Sequence, residues 1–528
     1  MKLTVLLFSF VQLTFSYNFL VFCPLFGHSH TTYFAKIADT LTDAGHNVTF
    51  FTPTIIQRFA KHIYVKSTKN VIHLEPSEKL AILGDKFEEG DTSKFWTSDS
   101  TVFEMLPMID TFNRAFEEQT VVLGRNLELL DELKAKNFDA MIFESFVDPA
   151  YPLLDYLQIK TILPATSIAF DEMLSHSIGE PIMTSAVPAP MSAFTDQMTF
   201  MERIINTITS PIMYLIMPKR KFKSLRFPHS TIEISSQESM SSFVFTNSNP
   251  YLDYARPTIE KNVQIGGISV DVDQLKSQKV NKEWDEILNL RTKTILVSFG
   301  SIMLSKDMPL ENRIALASTM KQFPEVTFIW KYESNDTDSF AKGIENIHFS
   351  NWIPQTALLA DFRLSAFFTH AGLGSINEVS YLGKPTILCP IFADQMRNAQ
   401  MLARHNGSVE ISKYELGQSQ KLQEVFKKIL YDQSYTTASE NLALQLANQP
   451  VKPRELLVRH AEFAAKFGRL PSLDPYSRHM SFVSYFLIDV AATIFLISLL
   501  VFYVFFRIAK RLINYLPITL TPVKHKTN

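Results

Sequence analysis

Short apolar runs alternate with stretches of helical period twice along this chain, and that alternation limits the fold more than any other feature. Residues 18–23 form an apolar run and 24–30 a loop, after which 31–43 place Phe34, Ile37, Ala38 and Leu41 on one helical face. Gly45 ends that helix and 48–51 begin the next run, the order of a βαβ unit. Residues 138–143, 150–157 and 160–163 repeat the sequence of strand, helix and strand. A second set opens with a strand at 295–299 and a helix over 310–320. It continues with strands at 326–330, 366–369 and 386–389 and a helix over 375–382. A polar segment, 271–283, separates the sets. The expected class is α/β: two doubly wound, Rossmann-like domains facing a cleft, with ligands beyond the carboxyl ends of the strands. On this reading 17–270 form the first domain, 271–455 the second, and 456–485 a return helix and juxtamembrane segment.

The two ends predict a compartment. Residues 1–16 read as a signal peptide, with Lys2, an apolar stretch over 3–10, and Thr14-Phe15-Ser16 at the cleavage point. Residues 486–506 carry no charge except Asp489 near one edge, and are long enough to cross a bilayer as one transmembrane helix. Arg507, Lys510 and Arg511 follow, so the positive-inside rule puts the basic tail, 507–528, in the cytosol. Lys524 and Lys526 there resemble a dilysine signal for retrieval to the endoplasmic reticulum. The remainder should face the lumen as a single-pass type I protein. Sequons at Asn47, Asn335 and Asn406 are compatible, with Asn335 expected to be accessible and the other two not.

Composition removes other classes. Lys plus Arg number 51 against 53 Asp plus Glu, which is not the basic excess of a nucleic-acid binder. Two cysteines, Cys23 and Cys389, sit in apolar runs and read as buried free thiols. With 43 Phe the chain is suited to greasy ligands or membrane contact. Residues 198–217 and the basic run 219–223 read either as a helix on a membrane surface or as the solvated end of a buried helix.

The most informative stretch runs from Trp352 and Gln355 through Thr369-His370-Ala371-Gly372-Leu373-Gly374-Ser375 and Glu378 to Asp394-Gln395. A strand ending at Thr369 feeds a Gly-rich turn that opens a helix. The free N–H groups and positive dipole end there suit a phosphate. Gly372 and Gly374 admit close approach, and His370 can donate to the same anion. The glycine spacing is not that of a dinucleotide fingerprint. Ser375 and Glu378 also read as a capping box, a purely structural alternative.

In this order and spacing the segment resembles the signature of the UDP-glycosyltransferases, the membrane-bound UDP-glucuronosyltransferase family of animals. The resemblance extends to Phe299-Gly300-Ser301, to 196–200, and to both chain ends. It implies a GT-B fold with an acceptor-binding first half, a UDP-sugar-binding second half and no metal. Position by position it implies that Trp352 stacks on uracil and Gln355 lies against the uridine. Ser301 and His370 would bond the diphosphate, with Gly372 and Ser375 giving backbone access. Glu378 would take the ribose hydroxyls, and Asp394 with Gln395 the sugar hydroxyls. Ala371 stands where glycine is common and Gly374 where asparagine is common.

Moving a sugar onto a hydroxyl needs a base, and histidine titrates near neutrality. The loop after the first strand offers His28 and His30, the second immediately before the helix. The resemblance favours His30, sixteen residues before His46. It also implies a carboxylate partner six residues after Phe138, which is Glu144 where aspartate is more usual, with Asp148 as the alternative. The acceptor implied is a small lipophile, lined from the Phe-rich segments 50–59 and 101–116, and the sugar is glucuronic acid or glucose. Homo- or hetero-oligomers are compatible with the family, and a non-catalytic lumenal binding protein is the alternative class.

Overall fold

Strands that are apolar on both faces pair in parallel, because helices must cover both sides of the sheet. In the computed structural model, which describes residues 16–89, 93–99, 102–216, 220–225, 231–277 and 279–515, this happens twice. The first sheet uses β1 (Asn18–Phe22), β2 (Asn47–Pro53), β3 (Asn70–Leu74), β4 (Ala140–Glu144) and β5 (Thr161–Thr166). A small antiparallel hairpin of β6 (Lys221–Lys223) and β7 (Thr231–Glu233) intervenes before β8 (Val244–Thr246) and β9 (Asn262–Gln264) complete it. The order is β3-β2-β1-β4-β5-β8-β9, parallel throughout.

The second sheet uses β10 (Lys293–Ser298), β11 (Val326–Lys331), β12 (Ile347–Ser350), β13 (Leu364–Thr369), β14 (Thr386–Leu388) and β15 (Ser408–Glu410). Its order is β12-β11-β10-β13-β14-β15, again all parallel. In each sheet the order reverses beside its first strand, between β1 and β4 and between β10 and β13. Those reversals open a crevice at the carboxyl ends.

The helix Pro453–Phe467 returns to the first sheet, where Leu457, Ala461 and Ala464 join the core of Phe19, Val21, Phe34 and Ile37. The seam between the two sheets is polar and buried. Arg397, from the helix Gln395–Ala403, donates to Asp253 at 2.7 Å, from the segment between β8 and β9. Asn249 donates to the Tyr381 hydroxyl at 2.9 Å, and that hydroxyl donates to the Gly266 carbonyl at 3.1 Å.

Several details depart from the sequence-based expectations. The helix after β1 spans His28–Asp43, so His30 lies in its first turn and not before it. Gly27 is its extended cap, and nothing in His28-Ser29-His30 opposes helix, so the turn winds back to that glycine. The helix Phe200–Ile216 is neither fully buried nor fully free. Asn206 is buried, while Phe200, Met201, Ile205 and Ile208 are exposed. Arg220 of the basic run is engaged inward with Glu238 and Asp148 at 2.7 and 3.1 Å. Asn47 and Asn406 are exposed like Asn335, because they occupy a strand start and a turn and not strand interiors. Both cysteines are buried free thiols. Residues 1–15 of the expected signal peptide, Lys219, and the tail with Lys524 and Lys526 lie outside the described residues.

Residues 475–528 form a separate unit. Its helix Ile488–Tyr515 has 28 residues and an 18-residue window of mean hydropathy 2.4 with none of it buried, long and apolar enough to cross a membrane. The helix outlasts the expected 486–506 because Arg507, Lys510 and Arg511 are good helix formers. Such a helix suggests membrane anchoring.

Removing one partner of a buried ion pair leaves the other charged and unsolvated. Asp253→Ala should therefore destabilise the protein by about 3–5 kcal/mol, read as a lower thermal midpoint of the detergent-solubilised chain, with Asp253→Asn milder.

Candidate active site

His30 enters the crevice from the first turn of its helix, and Glu144 is the last residue of β4, the neighbouring strand. Glu144 Oε2 lies 3.0 Å from His30 Nδ1. Its other oxygen, Oε1, accepts the backbone N–H of Ser167 at 2.8 Å, and the Ser167 hydroxyl lies 2.7 Å from the same Nδ1. The imidazole is thus held on one nitrogen, and its side chain keeps 19% exposure while Glu144 has 2%. Asp148 is elsewhere: its carboxylate accepts from Arg220 at 3.1 Å. Of the two acids, the fold brings Glu144 to the histidine.

Around His30 stand four phenylalanines. Phe26 and Phe146 approach the ring at centroid distances of 4.7 and 5.5 Å, and Phe112 and Phe116 pack edge-on against Phe26. Phe112 and Phe116 come from the anticipated 101–116 segment. Phe50 and Phe51 do not line the crevice but are fully buried in the cores, because β2 is covered on both faces.

The facing half supplies an anion cradle. Gly372 caps the helix Leu373–Leu382, whose first-turn N–H groups open at the carboxyl end of β13. Burial, with the nearby Lys331 ammonium, pushes His370 down to about 4, so its ring is neutral at pH 7; a hydrogen bond to the Ser298 backbone pulls the other way. Gly300 and Gly372 flank the ring so closely that a Cβ on either would stand 2.7 or 2.5 Å from it. Ser301 follows Gly300, half-buried on the same rim. Ala371 adopts φ +63, the left-handed region in which glycine is at ease.

Ser375 and Glu378 form no capping box: the helix has no side-chain cap. Instead Gln355 Nε2 donates to Ser375 Oγ at 3.0 Å and to Glu378 at 2.6 Å, and Thr356 donates to the other Glu378 oxygen at 2.5 Å. Burial raises the Glu378 carboxyl and these bonds lower it. Trp352, just beyond β12, is 56% exposed at the mouth.

Asp394 accepts from Asn398 at 2.8 Å. Burial raises its pKa, with the Asn398 bond and then the charge of His30 from the opposite half lowering it. The two sides of the crevice therefore face each other electrostatically. Gln395 is buried, and its Oε1 accepts the N–H groups of Ile391 and Phe392 at 2.9 and 3.1 Å, so that oxygen shapes the loop before Asp394.

Two further residues escaped sequence reasoning. Ser167 follows β5 with no motif around it. Lys331 ends β11, donates to the Gly300 carbonyl at 2.9 Å and to Glu333 at 2.6 Å, and is felt by both His28 and His370. Its signal in the sequence, a lysine closing an apolar strand, was present but unspecific.

With the geometry in hand, likeness to known proteins is informative. The profile of the family described as UDP-glucoronosyl and UDP-glucosyl transferase matches residues 20–524. The putative UDP-glucuronosyltransferase ugt-48 of Caenorhabditis elegans is 26% identical, over 98% of each chain. UDP-glucuronosyltransferase 1A3 of Homo sapiens is 24% identical, over 91% of this chain and 88% of its own. Among solved structures, Os79 from O. sativa in complex with U2F and trichothecene superposes with a TM-score of 0.58 at 15% identity, over 85% of this chain and 100% of that one. Phytolacca americana UGT2, complexed with UDP-2fluoro-glucose and pterostilbene, gives 0.55 at 14%, with the same coverage. These superpositions establish the GT-B fold.

The cradle can be tested at two glycines of one turn. A Cβ at Gly372 would meet His370 Nε2 at 2.5 Å, whereas one at Gly374 meets nothing within 4 Å. Gly372→Ala should displace the imidazole and weaken binding of inorganic pyrophosphate at least about 10-fold by calorimetry, the loss of one charge-assisted hydrogen bond. Gly374→Ala should leave the His370 imidazole in place and raise the thermal midpoint slightly, since alanine is the better helix former.

Proposed function

Because the chain belongs to the UDP-glucuronosyl and UDP-glucosyl transferase family, we propose that its crevice moves a hexosyl group, glucuronosyl before glucosyl, from a UDP-sugar to a hydroxyl of a small lipophilic acceptor, with inversion. The observation that carries this reading is His30 with Nδ1 tied to Glu144 at 3.0 Å. With the proton on Nδ1 donated to that carboxylate, Nε2 keeps its lone pair. It takes the acceptor's proton as the oxygen attacks the anomeric carbon. The bond from that carbon to the diphosphate oxygen breaks, and UDP leaves with the electron pair. A single displacement turns an α-linked donor into a β-glycoside.

The leaving charge meets the N-terminus of Leu373–Leu382. In this scheme Ser301, His370, Gly372 and Ser375 hold the diphosphate, Trp352 the uracil, Gln355 and Glu378 the uridine. Asp394 and Gln395 take the sugar hydroxyls. The rings of Phe26, Phe112, Phe116 and Phe146 support an apolar acceptor, which they would also shield from water. The preference for glucuronate rests on relatives named as glucuronosyltransferases. The remaining elements complete a single-pass type I protein of the endoplasmic reticulum with its crevice in the lumen: the leader over 1–16, three exposed sequons, and Lys524 and Lys526 after the apolar helix.

The test is UDP release by the full chain in detergent, with UDP-glucuronate and UDP-glucose offered separately against a panel of phenols and alcohols. Turnover should be faster with UDP-glucuronate. His30→Ala should lower kcat by about 10²- to 10⁴-fold and Glu144→Gln comparably, because each removes the positioned base or its tautomer. Asp148→Asn should change kcat little. Turnover surviving His30→Ala removes His30 as the base. Silence with every donor and acceptor, together with retained UDP-sugar binding, makes the chain a binding protein.

A further inference from the structure

Trp352 is not alone at the mouth of the crevice: two rings from the other half reach it and a third backs them. His62 lies over its face with centroids 6.3 Å apart and planes 26° from parallel. His28 meets its edge at 5.8 Å and 86°. Tyr64 stacks on His62 at 5.7 Å and 21°, and receives the edge of His28 at 4.7 Å. Tyr64 also holds φ +61, a left-handed backbone that a bulky residue rarely adopts. The backbone is bent where it must be for one ring to support both histidines. Burial, then the nearby charges of His62 and Lys331, push His28 down to about 4, so it is an uncharged brace at pH 7.

The spacing is informative. Two carbon planes in contact stand about 3.5–4 Å apart, so a third ring between two others needs about 7 Å. The centroids of His62 and Trp352 are 6.3 Å apart, which is the upper limit of the separation of two nearly parallel planes, so the rings must part by at least about 1 Å to admit a third. Both are exposed rings, one from each half. We propose that His62 is the second wall of the base slot, so that a planar pyrimidine inserts between His62 and Trp352 and the first half takes part directly in holding the nucleotide. The proposal rests on the reading above that Trp352 is the base platform. Nucleotide binding would then bridge the two halves through one stacked column, His28 and Tyr64 serving as its support.

Binding calorimetry on the full chain in detergent tests this, with UDP as the probe that carries a base and inorganic pyrophosphate as the one that does not. His62→Ala should weaken UDP by about 5- to 100-fold, the loss expected for one stacking face, and leave pyrophosphate unchanged. His62→Phe, which restores a flat ring, should recover most of the loss. UDP affinity that is unchanged or tighter in His62→Ala, while Trp352→Ala still weakens it, overturns the proposal and leaves the platform intact. If Trp352→Ala binds UDP as the wild type does, the platform reading itself fails and the slot fails with it. Should His62→Ala lose pyrophosphate as well, His62→Leu, which keeps bulk without the flat face, decides by the same comparison.

Discussion

The buried pair of Arg397 and Asp253 is the contact on which the working geometry depends. One residue comes from the first half and the other from the second, three positions beyond Asp394. A pair so desolvated holds only when its remaining groups are satisfied. Here Asp253 also accepts from Ser248 at 2.8 Å, Arg397 donates to the Pro188 carbonyl at 3.3 Å, and the guanidinium packs on the rings of Tyr254 and Phe170. The neighbouring Asn249, Tyr381 and Gln449 complete a polar seam. Hydrogen bonds fix register in a way that apolar packing alone does not, and this seam ties the carboxyl-end loops of the two sheets together.

What the sequence made legible follows from what it encodes locally. The central strands β1, β2, β4, β5, β10, β11, β13 and β14 were readable as apolar runs, whereas β3, β8, β9, β12 and β15 were not, being short or interrupted by polar residues such as His73, Gln264 and His348. The phosphate turn was readable because its glycines, histidine and helix start are consecutive. Glu144 and Trp352 were found by resemblance, since nothing in their neighbourhoods marks them. Ser167 and Lys331 were missed for the same physical reason: their partners lie 137 residues away at His30 for the one, and 31 away at the Gly300 carbonyl for the other. Spacing rules reach across a turn of helix, not across a sheet. The capping box at Ser375 and Glu378 failed because the box pattern is local, whereas Gln355 and Thr356 compete for those groups from another element.

For the proposed UDP-sugar, the cradle offers little net positive charge. Lys331 is offset by Glu333, and His370 is neutral. A neutral imidazole has a single N–H, and one ring nitrogen already bonds the Ser298 backbone. A diphosphate can gain a bond from His370 by turning that N–H away from the backbone or by drawing a second proton onto the ring, which its charge favours. Either way the first-turn N–H groups of Leu373–Leu382 are the principal donors in the proposed scheme. They are fixed dipoles and need no reorganisation when charge develops on the departing oxygen.

Glutamate stands at 144 where the family resemblance implies aspartate, and the surrounding bonds support the proposed pairing with His30. One added methylene gives a carboxylate an extra rotatable bond, and a loosely held acid beside an imidazole selects no tautomer. Here both oxygens are engaged, Oε1 by the Ser167 N–H and Oε2 by His30 Nδ1, so the plane of the carboxylate is fixed at two points. The strand end that holds Glu144 and the strand end that precedes Ser167 are adjacent in the sheet, so the brace is as rigid as the pairing of β4 with β5. The longer side chain is accommodated by drawing its second oxygen onto a neighbouring strand's backbone, and the cost of ordering it falls on the fold and not on each turnover.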